Sequence, residues 1–331
     1  MKAMLLERTR PVQEKPLKIS DIPIPEPGPG QVLIKVKACG VCHTDLHTVE
    51  GDLPLPRLPL VPGHQVVGRI EKTGPNANRF TGHERVGVTW FFSSCGLCGF
   101  CLQARENLCG NARFTGFHEQ GGYAEYLVVP EESAFPIPET FSDIEATPLL
   151  CGGVIGFRAL RLSEIKPGGS LGMYGFGNSA HVVIQIAVKR GCRVHVFTRS
   201  RNHQELAREL GAVWVGTPED LPVAPLDASI IFAPAGDIIP VALKALNKGG
   251  TLTLAGITMT RIPAMDYSLI YGERTIRSVA NTTRKDAEEL LVEAAEIPVR
   301  TVVETFPLED ANKVLLMMKQ SRLRGGAALV V

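Results

Sequence analysis

The chain has 331 residues, and at about 150 residues per domain this length predicts two domains. Its 35 Lys and Arg residues nearly balance its 34 Asp and Glu residues, which disfavours nucleic-acid-binding and membrane-surface proteins because both usually carry a basic excess. The sequence contains no apolar run of the ~18 residues that a membrane span requires, and its N-terminal apolar stretch is too short for a signal peptide. We therefore expect a cytoplasmic protein whose eight cysteines serve metal binding or chemistry rather than disulfides.

The first ~150 residues have the pattern of a β-rich region. Alternating apolar and polar residues predict strands over 32–36 and 124–129, and turn signals such as residues 73–76 separate such stretches. Prolines crowd residues 54–62, which disfavours a helix or a central strand there and predicts a loop.

Strands and helices alternate from about residue 148 to about residue 281. The predicted strands cover 170–174, 193–197, 228–233 and 251–255, and the predicted helices cover 159–164, 181–190, 202–210 and 238–246. Because this alternation is typical of βαβ units, it predicts a parallel sheet, and the continuous apolar runs are those of strands covered on both faces.

The pattern changes again beyond about residue 282. Helices are predicted over 285–295 and 308–318, and strands are predicted over 301–306 and 327–331. The periodicity leaves open whether this tail extends the parallel sheet or returns to the β-rich half.

Four closely spaced cysteines lie in a glycine-rich stretch. They are Cys95, Cys98, Cys101 and Cys109, in the pattern C-x2-C-x2-C-x7-C. Four thiolates close the coordination sphere of a tetrahedral zinc ion and leave no position for water, so the pattern indicates a structural zinc site. Iron–sulfur runs begin similarly but usually continue to a nearby fourth cysteine and a proline, and free or redox-active thiols are the remaining alternative.

Three further candidate ligands are far apart in the sequence, namely Cys42, His64 and Cys151. Two thiolates and one imidazole would hold a zinc ion with a fourth position for water or substrate, which is a catalytic arrangement. Each residue alone has an ordinary explanation, because a single cysteine is usually a small core residue and a single histidine a core or surface residue. Asp45 is the natural acceptor for the free ring N–H of His64, and Thr44 or Asp45 could also cap a following helix.

A glycine-rich turn follows the predicted strand 170–174. Gly175, Gly177 and Ala180 match the pattern G-x-G-x-x-A, in which the first glycine makes a tight turn and the second lets a pyrophosphate approach the helix N-terminus. The alternative is a tight turn without a ligand, but the strand–turn–helix context and the βαβ units that follow favour dinucleotide binding.

The residues after the next predicted strand bear on the choice of cofactor. NAD sites usually have an acidic residue here that accepts from the ribose 2′-hydroxyl, whereas this chain has Thr198, Arg199 and Arg201. A small neutral residue followed by arginines suits the 2′-phosphate of NADP, so NADP(H) is favoured over NAD(H). The alternative is that the two arginines form a solvated surface pair.

These motifs together resemble the zinc-dependent alcohol dehydrogenases of the medium-chain dehydrogenase/reductase superfamily over nearly the whole chain. The resemblance is carried by Gly40-Val41-Cys42-His43-Thr44-Asp45, Gly63-His64, the four cysteines, Gly121-Gly122-Tyr123-Ala124-Glu125, Cys151 and the glycine turn. It implies an α/β fold with a GroES-like β-rich catalytic domain at residues 1–151 and 281–331, including a zinc lobe near 95–109. The resemblance further implies a Rossmann domain with a doubly wound parallel sheet at residues 152–280.

The same resemblance implies a zinc-dependent enzyme that interconverts alcohols with aldehydes or ketones by hydride transfer to or from NAD(P). Cys42, His64 and Cys151 match the ligands of the family's catalytic zinc, so two zinc ions are expected per subunit. The implied partners are a small-molecule substrate and further copies of the chain, with a tetramer favoured over a dimer, and neither a nucleic acid nor a membrane.

Other residues match further functional positions of the family. Thr44 matches the hydroxyl that contacts the substrate oxygen, His47 the imidazole of a proton relay, and His43 a contact to the cofactor pyrophosphate. Trp90 and Phe91 fall where the family lines its substrate pocket, which is compatible with simple, benzylic or cinnamyl-type alcohols.

The chain departs from the family pattern at several positions. Gln65 replaces the usual glutamate after the histidine ligand, which puts the charge balance and ligand exchange of the zinc site in doubt. Near the C-terminus Gly326 stands where many members carry an arginine on the pyrophosphate, and whether Arg324 substitutes is open. Cys39 and Cys192 match no metal ligand and are interpreted as structural.

Two other functions remain as alternatives. One is a zinc-free quinone or enoyl reductase on the same fold, against which the three candidate ligands argue. The other is a zinc-ribbon interaction or nucleic-acid-binding protein, which the near-zero net charge disfavours.

Overall fold

The computed structural model describes residues 1–220, 222 and 224–331, and these divide into two compact units. The first unit comprises Met1–Cys151, Asn281–Ala295 and Arg300–Val331, and the second comprises Gly152–Ala280 and Glu296–Val299. Among the described residues, none of the helices combines the length and apolar character needed to cross a bilayer.

The first unit is built mainly from strands. Up to Cys151 these strands are β1 (Lys2–Leu6), β2 (Leu17–Asp21), β3 (Gln31–Val41), β4 (Gln65–Thr73), β5 (Arg85–Val88), β6 (Phe91–Ser93), β7 (Arg113–Phe114), β8 (Tyr126–Pro130) and β9 (Ala134–Pro136). The helices of this part are α1 (His43–Glu50), α2 (Gly99–Leu102) and α3 (Asp143–Ala146).

The second unit alternates helices with strands. In chain order these elements are α4 (Gly152–Leu162), β10 (Ser170–Tyr174), α5 (Asn178–Lys189), β11 (Arg193–Phe197), α6 (Arg201–Glu209), β12 (Trp214–Gly216), β13 (Leu226–Ile231), α7 (Ile238–Ala245), β14 (Leu246–Leu254) and β15 (Thr275–Ser278). The chain ends with α8 (Arg284–Glu296), β16 (Val303–Pro307), α9 (Ala311–Lys319) and β17 (Gly326–Val330).

Strand β3 is the centre of the main sheet of the first unit, whose order is β16-β17-β3-β4-β5-β9 with β8 also paired to β3. Val32, Ile34 and Val36 point into the apolar core, while Lys35 and Lys37 between and after them are exposed. This period of two produces one buried face. Since β17 pairs antiparallel with β3, the C-terminal tail belongs to this sheet rather than to the parallel one.

The second unit contains the parallel sheet that the alternation predicts, in the order β12-β11-β10-β13-β14-β15. All five residues of β10 are buried, as continuous apolar strands covered on both faces require. Strands β10 and β11 coincide with the predicted ranges 170–174 and 193–197. The fold class is therefore confirmed as α/β, with a β-rich GroES-like part and a Rossmann part.

Helix α4 begins seven residues before the predicted helix 159–164. The first two turns of α4 contain three glycines, at positions 152, 153 and 156. Because glycine has a low intrinsic helix propensity, the sequence alone does not predict these turns. A Cβ atom at Gly156 would lie 2.4 Å from a methyl carbon of Val183 on α5. The glycine thus lets α4 and α5 pack closely, and this packing outweighs propensity.

Candidate metal and active site

Residues 42–45 form the N-terminus of α1 directly after β3. Cys42 has an extended backbone (φ −139°, ψ 175°) and is the N-cap residue, with its Sγ accepting from the Thr44 N–H at 3.3 Å. The Asp45 Oδ2 atom accepts in return from the Cys42 N–H at 3.0 Å. This capping box fixes both side chains, and the N-cap is Cys42 rather than Thr44 or Asp45.

The other oxygen of Asp45 reaches a second segment of the chain. Oδ1 lies 3.1 Å from His64 Nδ1 and accepts from the Gly63 N–H at 3.2 Å. Asp45 and His64 are 1% and 0% exposed, so the carboxylate and the ring satisfy each other without solvent. Because the carboxylate accepts a hydrogen bond from Nδ1–H, the neutral His64 ring keeps its proton on Nδ1 and presents the lone pair of Nε2.

His64 Nε2 meets two cysteine thiols. It lies 3.3 Å from both Cys42 Sγ and Cys151 Sγ, and the two sulfurs are 3.9 Å apart. With Zn–S and Zn–N bonds of about 2.3 and 2.0 Å, the corresponding edges of a tetrahedral site measure about 3.5–3.8 Å. The three donors therefore fit a zinc ion, and both cysteines remain partly exposed, which leaves room for a fourth ligand.

The electrostatics of this cluster favour a central positive charge. The hydrogen bond with Cys151 and burial raise the pKa of the Cys42 thiol well above its usual value. Burial opposes protonation of His64, but Asp45 and Cys42 outweigh it and raise the pKa of the ring. A divalent cation satisfies the same donors without bound protons, because a coordinating thiol is deprotonated outright.

Gly63 lets the histidine segment approach a buried aromatic ring. Its φ of +97° lies in the left-handed region, and a Cβ atom there would be 2.4 Å from Cδ1 of Tyr123. A side chain at position 63 would displace either Tyr123 or the backbone that holds His64. The glycine is therefore a geometric requirement of the site.

Gln65 is buried directly after the histidine. It is 1% exposed, and among the described residues its Nε2 has no hydrogen-bond partner. A Cβ atom at Gly40 would lie 2.9 Å from the Gln65 Cβ, so the side chain packs on the backbone of β3. The amide adds no charge beside the three donors.

Trp90 is the aromatic residue that the structure places against the metal-site histidine. Its ring lies 4.9 Å from the His64 ring, edge to face, and stacks on Phe114 at 5.2 Å. Phe117 approaches Trp90 at 5.6 Å. The neighbouring Phe91 is 2% exposed, so of the two predicted pocket residues only Trp90 faces His64.

Phe91 instead packs under the guanidinium of Arg284, 5.0 Å from its ring centroid. The Phe91 ring also meets Phe114 edge to face at 6.5 Å, so Trp90 and Phe91 contact the same phenylalanine while only Trp90 reaches His64. Sequence reasoning missed Phe114 and Phe117. The sequence pattern that indicates them is the group of aromatic rings at 114–118, shortly after Cys109, the last of the four closely spaced cysteines.

The relay candidates lie on one face of α1. Thr44 and His47 are three residues apart, which places them one turn from each other, and Thr44 is 8% exposed. His43 is exposed at the first position of the helix. The His47 Nδ1 atom lies 2.8 Å from Asp52 Oδ2, a contact that the sequence analysis did not identify.

The four closely spaced cysteines also converge. Their sulfurs lie within 4.8 Å of one another, with Cys98–Cys101 and Cys95–Cys109 both at 3.5 Å. Backbone N–H groups, chiefly that of Leu97, lower the pKa of the Cys95 thiol to about 6. The lobe thus offers a closed tetrahedral set of ligands, one of them readily ionised.

The glycine turn of the second unit has the geometry of an anion site. Gly175 has a φ of +86°, and a Cβ atom there would be 3.0 Å from the Ala233 nitrogen. Gly177 is the N-cap of α5, and a Cβ atom there would meet no atom of the described residues within 4 Å. Ala180 is fully buried. The first N–H groups of α5 have no acceptors within their own helix, which is the arrangement that binds anions.

The residues after β11 are exposed except for Thr198. Thr198 is 7% exposed, and its carbonyl accepts from Gln204 Nε2 at 2.8 Å. Arg199 donates from Nη2 to Glu219 Oε1 at 2.7 Å, and Arg201 is exposed at the start of α6. One of the two arginines is thus paired with a carboxylate that follows β12.

Comparison with known proteins gives a consistent result over the whole chain. The sequence model of the alcohol dehydrogenase GroES-like domain matches residues 28–139, and that of the zinc-binding dehydrogenases matches residues 180–296. A probable alcohol dehydrogenase of Mycobacterium tuberculosis is 42% identical, covering 100% of this chain and 97% of the relative. An alcohol dehydrogenase of Geobacillus stearothermophilus is 37% identical over 100% of both chains.

Solved structures share the fold of this chain at lower sequence identity. A cinnamyl alcohol dehydrogenase of Sorghum bicolor matches with a TM-score of 0.90 and 27% identity. The match covers 99% of this chain and 97% of that one.

Asp45→Asn should weaken zinc binding at the Cys42–His64–Cys151 site by about 10–100-fold, because the amide holds the His64 ring less firmly and makes it a poorer donor. Asparagine still accepts from the Cys42 N–H, so α1 should keep its cap. Competition with a chelator measures the affinity.

The matched control is Asp286→Asn, which alters another fully buried carboxylate that caps a helix start through Thr283. It should lower stability without changing zinc affinity. Equal zinc affinity in Asp45→Asn and the unaltered protein would contradict the assigned role of Asp45.

Proposed function

Because the chain belongs to the zinc-dependent alcohol dehydrogenases of the medium-chain dehydrogenase/reductase superfamily, we propose that it interconverts an alcohol with its aldehyde or ketone at the Cys42–His64–Cys151 site. The observation that carries this assignment is the convergence of one ring nitrogen and two sulfurs with a partly exposed side. A zinc-free quinone or enoyl reductase is not favoured, since the relatives are alcohol dehydrogenases.

The three donors would hold the catalytic zinc, which when bound supplies Lewis-acid stabilisation of negative charge on a substrate oxygen. Asp45 contributes by fixing the tautomer and the direction of the His64 ring. The two thiolates would balance the ion's charge, and the neutral Gln65 leaves that balance unchanged.

Residues of α1 would carry the proton. Thr44 is nearly buried beside Cys42, and His47 is about a quarter exposed one turn later. A hydroxyl can accept and donate in the same position, and an imidazole exchanges protons near neutral pH. A proton leaving the alcohol therefore has an inner carrier, Thr44, and an outer one, His47.

The second unit would bind the nicotinamide cofactor at the glycine turn. The N-terminal N–H groups of α5 suit its pyrophosphate. The family pattern also suggests the exposed His43 as a cofactor contact. We favour NADP(H), because Thr198, Arg199 and Arg201 offer no acid to the ribose 2′-hydroxyl. Glu219 moderates this preference by pairing with Arg199.

A cluster of aromatic rings beside the metal site supports aryl-substituted primary alcohols and their aldehydes as substrates. Trp90, Phe114 and Phe117 form a continuous surface beside His64. Ring–ring contacts of this kind are worth about 0.5–1.5 kcal/mol beyond apolar burial. The Sorghum bicolor relative, named for cinnamyl alcohol, has this type of substrate.

The four-cysteine lobe would hold a second, structural zinc ion, giving two per subunit. Support comes from the closed set of sulfurs and from the eight cysteines being free thiols, which also favours a cytoplasmic location.

We further propose a homotetramer. Strand β15 is an edge of the parallel sheet, and Tyr267 and Tyr271 before it are 69% and 68% exposed.

Cys42→Ser should lower kcat/KM for alcohol oxidation by at least about 10³-fold, because metal stabilisation of the substrate oxygen is worth several kcal/mol. Serine is itself a favourable N-cap residue, so the fold should persist. Metal analysis should show zinc falling from two ions per chain to one.

The control is Cys192→Ser, which changes a buried cysteine that belongs to neither cluster. It should keep both ions and the activity. Full activity of Cys42→Ser with a single ion bound at the four-cysteine lobe would overturn the assignment.

The ratio of kcat/KM for NADP to that for NAD should exceed one and respond to Arg199. Arg199→Ala should lower kcat/KM for NADP by about 10–100-fold, since a charge-assisted hydrogen bond is worth about 1.5–3 kcal/mol. The value for NAD should change by less than about threefold.

Glu219→Gln should raise the same ratio, because it frees the Arg199 guanidinium. Arg208→Ala, which alters an exposed arginine at the other end of α6, should leave the ratio unchanged. A higher kcat/KM for NAD than for NADP in the unaltered protein, unchanged in all three variants, would refute the phosphate-binding role of Arg199.

A further inference from the structure

The C-terminal end of α1 is folded back on His47. Gly51 ends the helix in the left-handed conformation, with φ +83° and ψ 17°. Its N–H and the N–H of Asp52 both donate to the His47 carbonyl at 3.0 Å. This double closure returns the chain to the helix and sets the Asp52 side chain beside the imidazole.

The contact between the two side chains is short and specific. Asp52 Oδ2 lies 2.8 Å from His47 Nδ1, within the range of a charge-assisted hydrogen bond. The His47 side chain is 23% exposed and that of Asp52 is 54% exposed. An ion pair this exposed adds little stability, so its consequence is orientation rather than folding energy.

An ionised carboxylate only accepts hydrogen bonds, so its partner Nδ1 must carry the ring proton. The Nε2 lone pair of His47 is then left free in the neutral ring. A carboxylate that fixes a catalytic imidazole in this way selects one tautomer and one ring orientation. Asp45 and His64 form the same kind of carboxylate–imidazole pair, with 3.1 Å between Oδ1 and Nδ1.

We propose that Asp52 is a positioning residue of the proton path, which holds His47 so that Nε2 takes up and releases the proton. The inference rests on the proposed relay role of His47. In alcohol oxidation a proton arriving from the Thr44 side binds to Nε2, and the ring then carries protons on both nitrogens. Nε2 returns its proton to a water molecule, so the ring regains the tautomer that Asp52 selects.

The experiment compares Asp52→Asn with Glu50→Gln in the holoenzyme. Glu50 lies at the same helix end, where it pairs with Lys319 and accepts from the Val12 N–H. Its replacement should loosen α1 at least as much as Asp52→Asn does, without touching the His47 ring. The single-turnover rate of alcohol oxidation is followed by the absorbance of the reduced nicotinamide, with and without added imidazole.

Asp52→Asn should lower the single-turnover rate about tenfold or more, because the amide can donate to Nδ1 and allow the other tautomer. Added imidazole should restore most of the rate by carrying the proton directly to solvent. The alcohol KM should change by less than about threefold. Glu50→Gln should keep the rate within about twofold while lowering Tm.

A loss in Asp52→Asn that imidazole does not restore, or an unchanged rate, would overturn the inference. His47→Gln separates this failure from that of the proposed function. If His47→Gln is slow and restored by imidazole while Asp52→Asn is unaffected, only the positioning role falls. If His47→Gln also leaves the rate unchanged, the relay falls, and the Asp52 inference falls with it.

Discussion

The metal site depends on one buried carboxylate. Asp45 accepts from the Cys42 N–H with one oxygen, and from the Gly63 N–H and the His64 ring with the other. A carboxylate that is 1% exposed is tolerated in the interior only when such donors replace its hydration. These three hydrogen bonds tie a helix start to a loop about twenty residues later, so the same interaction that stabilises the charge also brings two metal donors together.

Close backbone contacts also hold the loop that carries His64. A Cβ atom at Gly121 would lie 2.2 Å from the Gly63 carbonyl oxygen, and one at Gly116 would lie 2.8 Å from the Gly63 nitrogen. Tyr123 closes the remaining side of Gly63. Glycines at these positions let three stretches of chain approach to backbone contact, which holds the imidazole against a fixed background.

The sequence predicts some parts of this molecule well because their signals are local. Strand β10 is a short, fully buried strand directly before the glycine turn, and the four-cysteine lobe is specified by spacing alone. Helix α1 lacks such a signal, because its N-cap is a cysteine and its apolar face is short. Short elements such as β12 and β15 depend on tertiary pairing and have no clear pattern of their own.

Site residues divide in the same way. Cys151 lies 87 residues from His64, so its approach to the imidazole follows from folding. Its residue type makes it a candidate ligand, and the family resemblance favours that role over an ordinary core cysteine. The position of Asp52 depends on how α1 ends, and the positions of Phe114 and Phe117 depend on the register of the β6–β7 pair. Residue type alone reveals neither.

The four-cysteine lobe leaves and rejoins the sheet at adjacent points. Ser93 and Arg113 are register partners in the β6–β7 pair, so strand pairing already holds together the two ends of the segment 94–112. A shorter connection there would carry no extra cost in loop-closure entropy, since this cost grows with loop length. A chain in which a tight turn replaced residues 94–112 would therefore lose the four-cysteine ligand set and keep Trp90 stacked on Phe114, so the lobe is separable from the rest of this unit.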